Sequence, residues 1–303
     1  MFVGHAALAF GAAALVARGF GRSRRDALAL GVVAGLFATV PDVDMVYAVV
    51  GLVSVGLADV WTMTGAFWGH STVVHRAITH SLVFAVPAAA AFTLWPTRRV
   101  LALAVLAGLV AVSFAVSGVL GAAVMLAFAA AGVLVSEAAA WFTGADGRAL
   151  FGASLLGLAS HPFGDVFTGS PPQFLYPFDA TLLAARVAPF PEPTLNLLTA
   201  FGAELAAIWF GVLVFAWLTE RDPFAHVNPR AVAGVAYVVA VPFVPAPTFD
   251  VSYQFVFSVL SVGFVGAMPQ VDLDLPDAMT AVTTGLAAVT LAVVAYTAVF
   301  LAV

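Results

Sequence analysis

The sequence predicts an all-α, polytopic membrane protein, and three observations predict it. Hydrophobic residues make up 63% of the 303 residues and only 9% are charged, more apolar surface than a soluble core requires. The apolar residues lie in continuous runs approaching the ~20 that cross a bilayer as a helix. The few polar side chains cluster instead of scattering, at His5, Pro41-Asp42-Val43-Asp44, His75-Arg76-Ala77-Ile78-Thr79-His80-Ser81 and His161-Pro162-Phe163-Gly164-Asp165.

Taken in order, the first run, 2–17, has its arginines after it and no basic stretch before it, so it reads as a span and not as a signal peptide. The second, 26–40, closes at Pro41, which cannot continue a helix. The stretch 45–57 is too short for a crossing and fits a re-entrant or interfacial segment. Runs at 82–97, 99–116, 118–136, 149–167, 195–218, 231–249, 251–268 and 278–302 bring the expectation to about ten transmembrane helices. Between the sixth and seventh, the loop 168–194 holds Pro171, Pro172, Pro189, Pro191 and Pro193. With Phe174, Tyr176 and Phe178 it reads as an ordered interfacial loop. A single integral-membrane domain is expected over 1–303: 1–180 bears the motifs, and 181–303 adds membrane helices of no assigned role.

Charge orients these spans. All 11 basic residues are arginine. Arg18, Arg22, Arg24, Arg25, Arg98, Arg99, Arg148, Arg221 and Arg230 fall in loops on one side of the ten-span arrangement, which makes that side cytoplasmic. The same parity brings His5, the Asp42/Asp44 loop, the His75–His80 segment and His161 to the extracytoplasmic face. A net charge of −5 without a basic patch excludes nucleic acid as a partner. The absence of cysteine excludes disulfides and thiolate chemistry.

Imidazole and carboxylate together form the ligand set of hydrolytic metal sites. His161 and Asp165, at i and i+4, project from one face of a helix about a turn apart, although Pro162 disfavours helical geometry at His161. His75 and His80, five apart, cannot share a helical face, so the segment bends between them or only one binds. Arg76 offers a planar fork for an anionic group. Thr79 and Ser81 could cap the following span or support a ligand. Asp42 and Asp44 can converge on one cation, or one can orient a histidine. Asp272 and Asp274 read as a solvated turn, and His70 and His226 show no spacing relation to the rest. Glu204 is an acid in mid-span, a functional residue or a hydrogen-bonding partner for a neighbouring helix.

With these motifs in place, the chain resembles the LexA-regulated inner-membrane metal-dependent hydrolase family. The resemblance rests on His5, Pro41-Asp42-Val43-Asp44, His75-Arg76-x-x-Thr79-His80-Ser81, and His161-x-x-Gly164-Asp165-x-x-Thr168 with Pro171 and Leu175-Tyr176-Pro177 beyond. It covers roughly the first 180 residues and implies a reaction class without a substrate. The expectation is a membrane-bound hydrolase of an ester or phosphoester, with a lipid or lipid-linked substrate. His5, Asp42, Asp44, His75, His80, His161 and Asp165 are the candidate metal ligands. They would hold one or two divalent ions, zinc by preference, that activate a water. Arg76 would hold an anionic substrate group, and Asp44 is the candidate general base. The alternatives are a cation transporter or channel using the same cluster, and a membrane scaffold with a structural metal.

Overall fold

The computed structural model describes residues 2–71, 76–243, 245–269 and 274–302, and among them every regular element is a helix or a 3-10 turn. Among the described residues, four helical runs are long and apolar enough to cross a membrane: Arg24–Val55, Arg99–Thr143, Pro193–Leu218 and Ala278–Ala302. The other expected spans that are regular helices are shorter. Run 231–249 is a 3-10 helix over Pro229–Ala240, and 251–268 divides into a helix, Tyr253–Ser261, and a 3-10 segment, Val262–Ala267. Large apolar side chains such as Val100, Phe114, Leu134 and Phe142 are exposed, as they are where lipid replaces water. The protein is a membrane protein by this apolar exterior and by the length of its helices.

The chain forms two compact units, 1–166 with 170–186, and 167–169 with 187–303. The first contains α1 (Phe2–Gly19), α2 (Arg24–Thr39), α3 (Ala48–Val55), α4 (Val60–Ser71), α5 (Leu82–Leu94), α6 (Arg99–Thr143) and α7 (Gly147–Gly164). Capping fixes where several of them begin. Ser23 accepts from the Asp26 amide, Ser81 from those of Val83 and Phe84, and Asp146 from that of Ala149, which satisfies amides that a helix N-terminus leaves without partners. The expected interfacial stretch 45–57 becomes a 3-10 turn, Pro41–Tyr47, followed by the eight-residue α3.

α6 is 45 residues long but does not run straight. Gly118 adopts φ 65°, ψ −156°, a region open essentially to glycine alone. Beyond it the chain turns back. Arg99 bonds Glu137 at 2.8 Å, whereas 38 residues of straight helix would separate them by about 57 Å. The element is therefore a helical hairpin, divided where the sequence expected two runs, 99–116 and 118–136.

α1, α2, α5 and α7 pack together in the same unit. α2 and α7 meet closely at Gly157, where an added Cβ would lie 2.8 Å from Phe37 Cβ. Each helix brings chemistry to the same end. His5 opens α1, Asp42 follows α2, His80 precedes α5 and His161 closes α7. The opposite ends of these helices carry Arg18 and Arg22, Arg24, Trp95, and Asp146. There Arg22 bonds Asp146, while Trp95 and Arg99 both bond Glu137.

The second unit contains α8 (Pro193–Leu218), the 3-10 helix Pro229–Ala240, α9 (Tyr253–Ser261) and α10 (Ala278–Ala302). Its core is built around Tyr237, Phe255 and Tyr296, and α10 packs against the 3-10 segments 229–240 and 262–267.

Candidate metal centre

Arg76 and the candidate metal ligands that the structure describes all fall in the first unit. His161 and Asp165 stay on one face because α7 runs through Pro162 to Gly164 and Asp165 opens the next 3-10 turn. His80 comes from the 3-10 turn Ile78–His80. Asp42 and Asp44 come from the 3-10 turn that follows α2, and His5 from the first turn of α1. His75 lies outside the described residues. His80 and His161 are fully buried, and Asp44, Asp165 and His5 are nearly so.

Four side-chain atoms converge. His161 Nε2 lies 3.1 Å from His80 Nε2, 3.3 Å from Asp42 Oδ1 and 3.6 Å from Asp165 Oδ2. His80 Nε2 lies 3.1 Å from Asp165 Oδ2 and 4.0 Å from Asp42 Oδ1. Around a tetrahedral zinc with bonds of ~2.0–2.1 Å, neighbouring ligand atoms are about 3.3 Å apart, so these separations bracket that edge. His161 belongs to two potential metal-holding groups, one with Asp42 and His80 and one with His5 and Asp165. The expected convergence on one pocket therefore takes the form of two overlapping triads.

The hydrogen bonds behind the rings decide which atoms face inward. His161 Nδ1 lies 2.6 Å from the Ala38 carbonyl. A carbonyl only accepts, so Nδ1 carries a proton, and in the neutral ring Nε2 presents the lone pair. Thr79 Oγ1 donates to Asp44 Oδ2 at 2.8 Å and lies 2.9 Å from His80 Nδ1. With its proton given to Asp44, that hydroxyl accepts from His80 Nδ1, and His80 Nε2 likewise presents a lone pair. Burial pushes the His80 imidazole down to about 4, against the opposing pull of Asp165 and Asp44, so it is neutral and able to ligate at physiological pH. Asp165 Oδ2 is buried and, among the described residues, has no partner in hydrogen-bonding geometry, with His80 Nε2 3.1 Å away. With both rings neutral, their two Nε2 lone pairs, Asp165 Oδ2 and Asp42 Oδ1 form a cluster of acceptors. Buried together, such groups call for a cation, and the donor set suits zinc or a similar divalent ion.

Two residues occupy places different from those the sequence suggested. Asp44 sits behind His80, 3.7 Å from Nδ1, and not among the converging atoms. Arg76 holds a left-handed backbone, φ 71°, and its guanidinium reaches inward. It donates to Asp165 Oδ1 and the Asp165 carbonyl, both at 3.2 Å, and to the Ser170 carbonyl at 2.9 Å. His5 Nε2 lies 3.3 Å from the same Oδ1, and its ring is 4.0 Å from that of His161. Gly164 lets His5 in, because a Cβ there would run directly into the imidazole.

Sequence reasoning missed the Ala38 and Ser170 carbonyls, since a backbone acceptor leaves no mark on residue type. Thr79 and Ser81 do fill the two uses expected of them, support behind a histidine and the cap of α5. The loop 170–178 folds its aromatic residues inward at Phe174 and Tyr176, and Ser81 donates to the Tyr176 carbonyl. Glu204 is half-buried on α8, and His226 contacts Thr280, both in the second unit.

Comparison with curated proteins and with solved structures gives no match. A sequence model of the YdjM inner membrane protein family matches residues 1–245. The match takes in every residue of the cluster and extends beyond the roughly 180 positions that the motifs covered. The family agrees with the resemblance carried by the His and Asp motifs. The chain belongs to the YdjM inner membrane protein family.

Proposed function

We propose that the protein is a membrane-embedded, metal-dependent hydrolase of esters or phosphoesters, with Asp42, His80, His161 and Asp165 holding one divalent ion, zinc by preference. The observation that carries this is the convergence of the His80 and His161 Nε2 atoms, 3.1 Å apart, with carboxylate oxygens of Asp42 and Asp165. Such an ion, when bound by these residues, would supply Lewis acidity for activating water near neutral pH. The protein's own groups set the stage. The Ala38 carbonyl and the Thr79–Asp44 pair fix both imidazole tautomers. Arg76 and His5 occupy Asp165 Oδ1 and turn Oδ2 toward the histidines. Arg76 also argues for one ion, because a guanidinium 3.2 Å from Oδ1 repels a second cation on that side.

In this reading the helices cross about ten times, both arms of α6 included, and the cluster faces the extracytoplasmic side because the arginine-rich helix ends face the cytoplasm. A site opening at a membrane surface suits a lipid or lipid-linked substrate, which arrives laterally. Detergent-purified protein would be analysed for metal and for turnover of a generic phosphoester, before and after chelation, beside His161→Ala. About one zinc per chain is expected, with turnover lost on chelation and restored by zinc, and both lost together in His161→Ala. Metal without turnover would favour a structural metal. A zinc-free wild-type protein that still turned over substrate would end the proposal.

A further inference from the structure

Outside the metal centre, the first unit carries an apolar groove between α2 and the second arm of α6, enclosing about 260 Å³. Val33 and Ala139 form its buried floor, Val32, Leu36 and Phe142 its exposed walls, and Arg25 lines one end. Residues 25, 32, 33 and 36 recur at helical spacing, so the groove follows one face of α2. From Arg25 to Leu36 it runs about 16 Å, close to half of a hydrocarbon core ~30 Å thick. Its length is that of one leaflet.

Charge at the groove end is one-sided. Arg18, Arg22, Arg24, Arg25 and Arg148 occupy the turn between α1 and α2 and the start of α7, against Asp26 and Asp146. Both carboxylates are already engaged, Asp146 by Arg22 and Asp26 by the Ser23 hydroxyl. An arginine-rich end above an apolar slot of one-leaflet depth matches a phosphate joined to an acyl chain. We propose that the groove seats one acyl chain of an anionic phospholipid from the leaflet at the arginine end, with its phosphate on Arg25. The site is separate from the metal centre and does not depend on the hydrolase reading.

Native mass spectrometry of the full chain in detergent, titrated with phosphatidylglycerol or phosphatidylcholine, tests this. Wild type should retain one phosphatidylglycerol about fivefold more tightly than phosphatidylcholine, a preference of the size one arginine–phosphate contact provides. Arg25→Gln should abolish the preference, and Val32→Trp, at an exposed wall position, should remove the tightly held lipid by filling the slot. Thermal melting of both variants checks that they fold; because both positions are exposed, wild-type melting is expected. Equal retention of the two lipids by wild type would overturn the proposal. So would unchanged phosphatidylglycerol binding in folded Val32→Trp, or a second copy of the chain found covering the groove.

Discussion

At the scale of single residues, the centre is organised from behind. His161 would be an ambiguous ring without the Ala38 carbonyl, and His80 without Thr79 and Asp44, because each backing group decides which nitrogen keeps its proton. Arg76 has the same relation to Asp165. Its planar fork reaches the carboxylate and two carbonyls at once, a geometry a lysine ammonium cannot reproduce. Arg76→Lys should therefore leave the protein folded but weaken metal affinity about 10–100-fold, the usual effect of losing a group that orients a ligand. Competition with a zinc chelator would measure it. If Arg76→Lys kept full metal affinity and raised only KM, Arg76 would instead be the substrate clamp that its sequence context first suggested.

At the scale of elements, Gly118 is the hinge on which the first unit depends. An unbroken α6 would carry Glu137 far from Arg99 and Trp95, and Gly132 away from the Phe92 ring against which it packs. A side chain at φ 65°, ψ −156° costs ~1–3 kcal/mol, so Gly118→Val should lower stability by about that amount. Denaturation in detergent, read by circular dichroism, would show it; an unchanged midpoint would mean that the turn is held by packing alone. Glycine near the middle of an apolar run is visible in the sequence. The reversal of direction there is not, since the same run could have continued as one long helix. α7 shows the converse. Pro162 argues against helix at His161, yet tertiary contacts carry the helix through it to Gly164.

At the scale of the molecule, the first unit is polarised along its helices, with His and Asp at one end and arginine with its carboxylate partners at the other. The absence of cysteine makes this polarity easy to test. Single cysteines at Ser170, beside the metal centre, and at Ser23 and Thr97, at the arginine end, are all at exposed positions. In intact cells an impermeant thiol reagent should label the cysteine at 170 and spare those at 23 and 97. The reverse pattern would invert the topology and move the centre to the cytoplasmic side, and labelling of 23 and 97 on opposite sides would break the ten-span count.

By itself, the sequence determined the all-helical membrane class, the family and the residues from which a metal centre can be made. Hydropathy and residue type are local properties, and lipid leaves a backbone few choices but helix. Only the tertiary structure decided which of those residues meet. Asp42, His80, His161 and Asp165 come from three stretches of chain, and His5 from a fourth; their convergence depends on α1, α2, α5 and α7 packing side by side with the same ends together. That packing also separated Asp44 and Arg76, which orient ligands, from the atoms that converge. Both groups come from the same motifs, and only three-dimensional distance distinguishes Asp42, whose carboxylate faces the histidine Nε2 atoms, from Asp44, which supports His80.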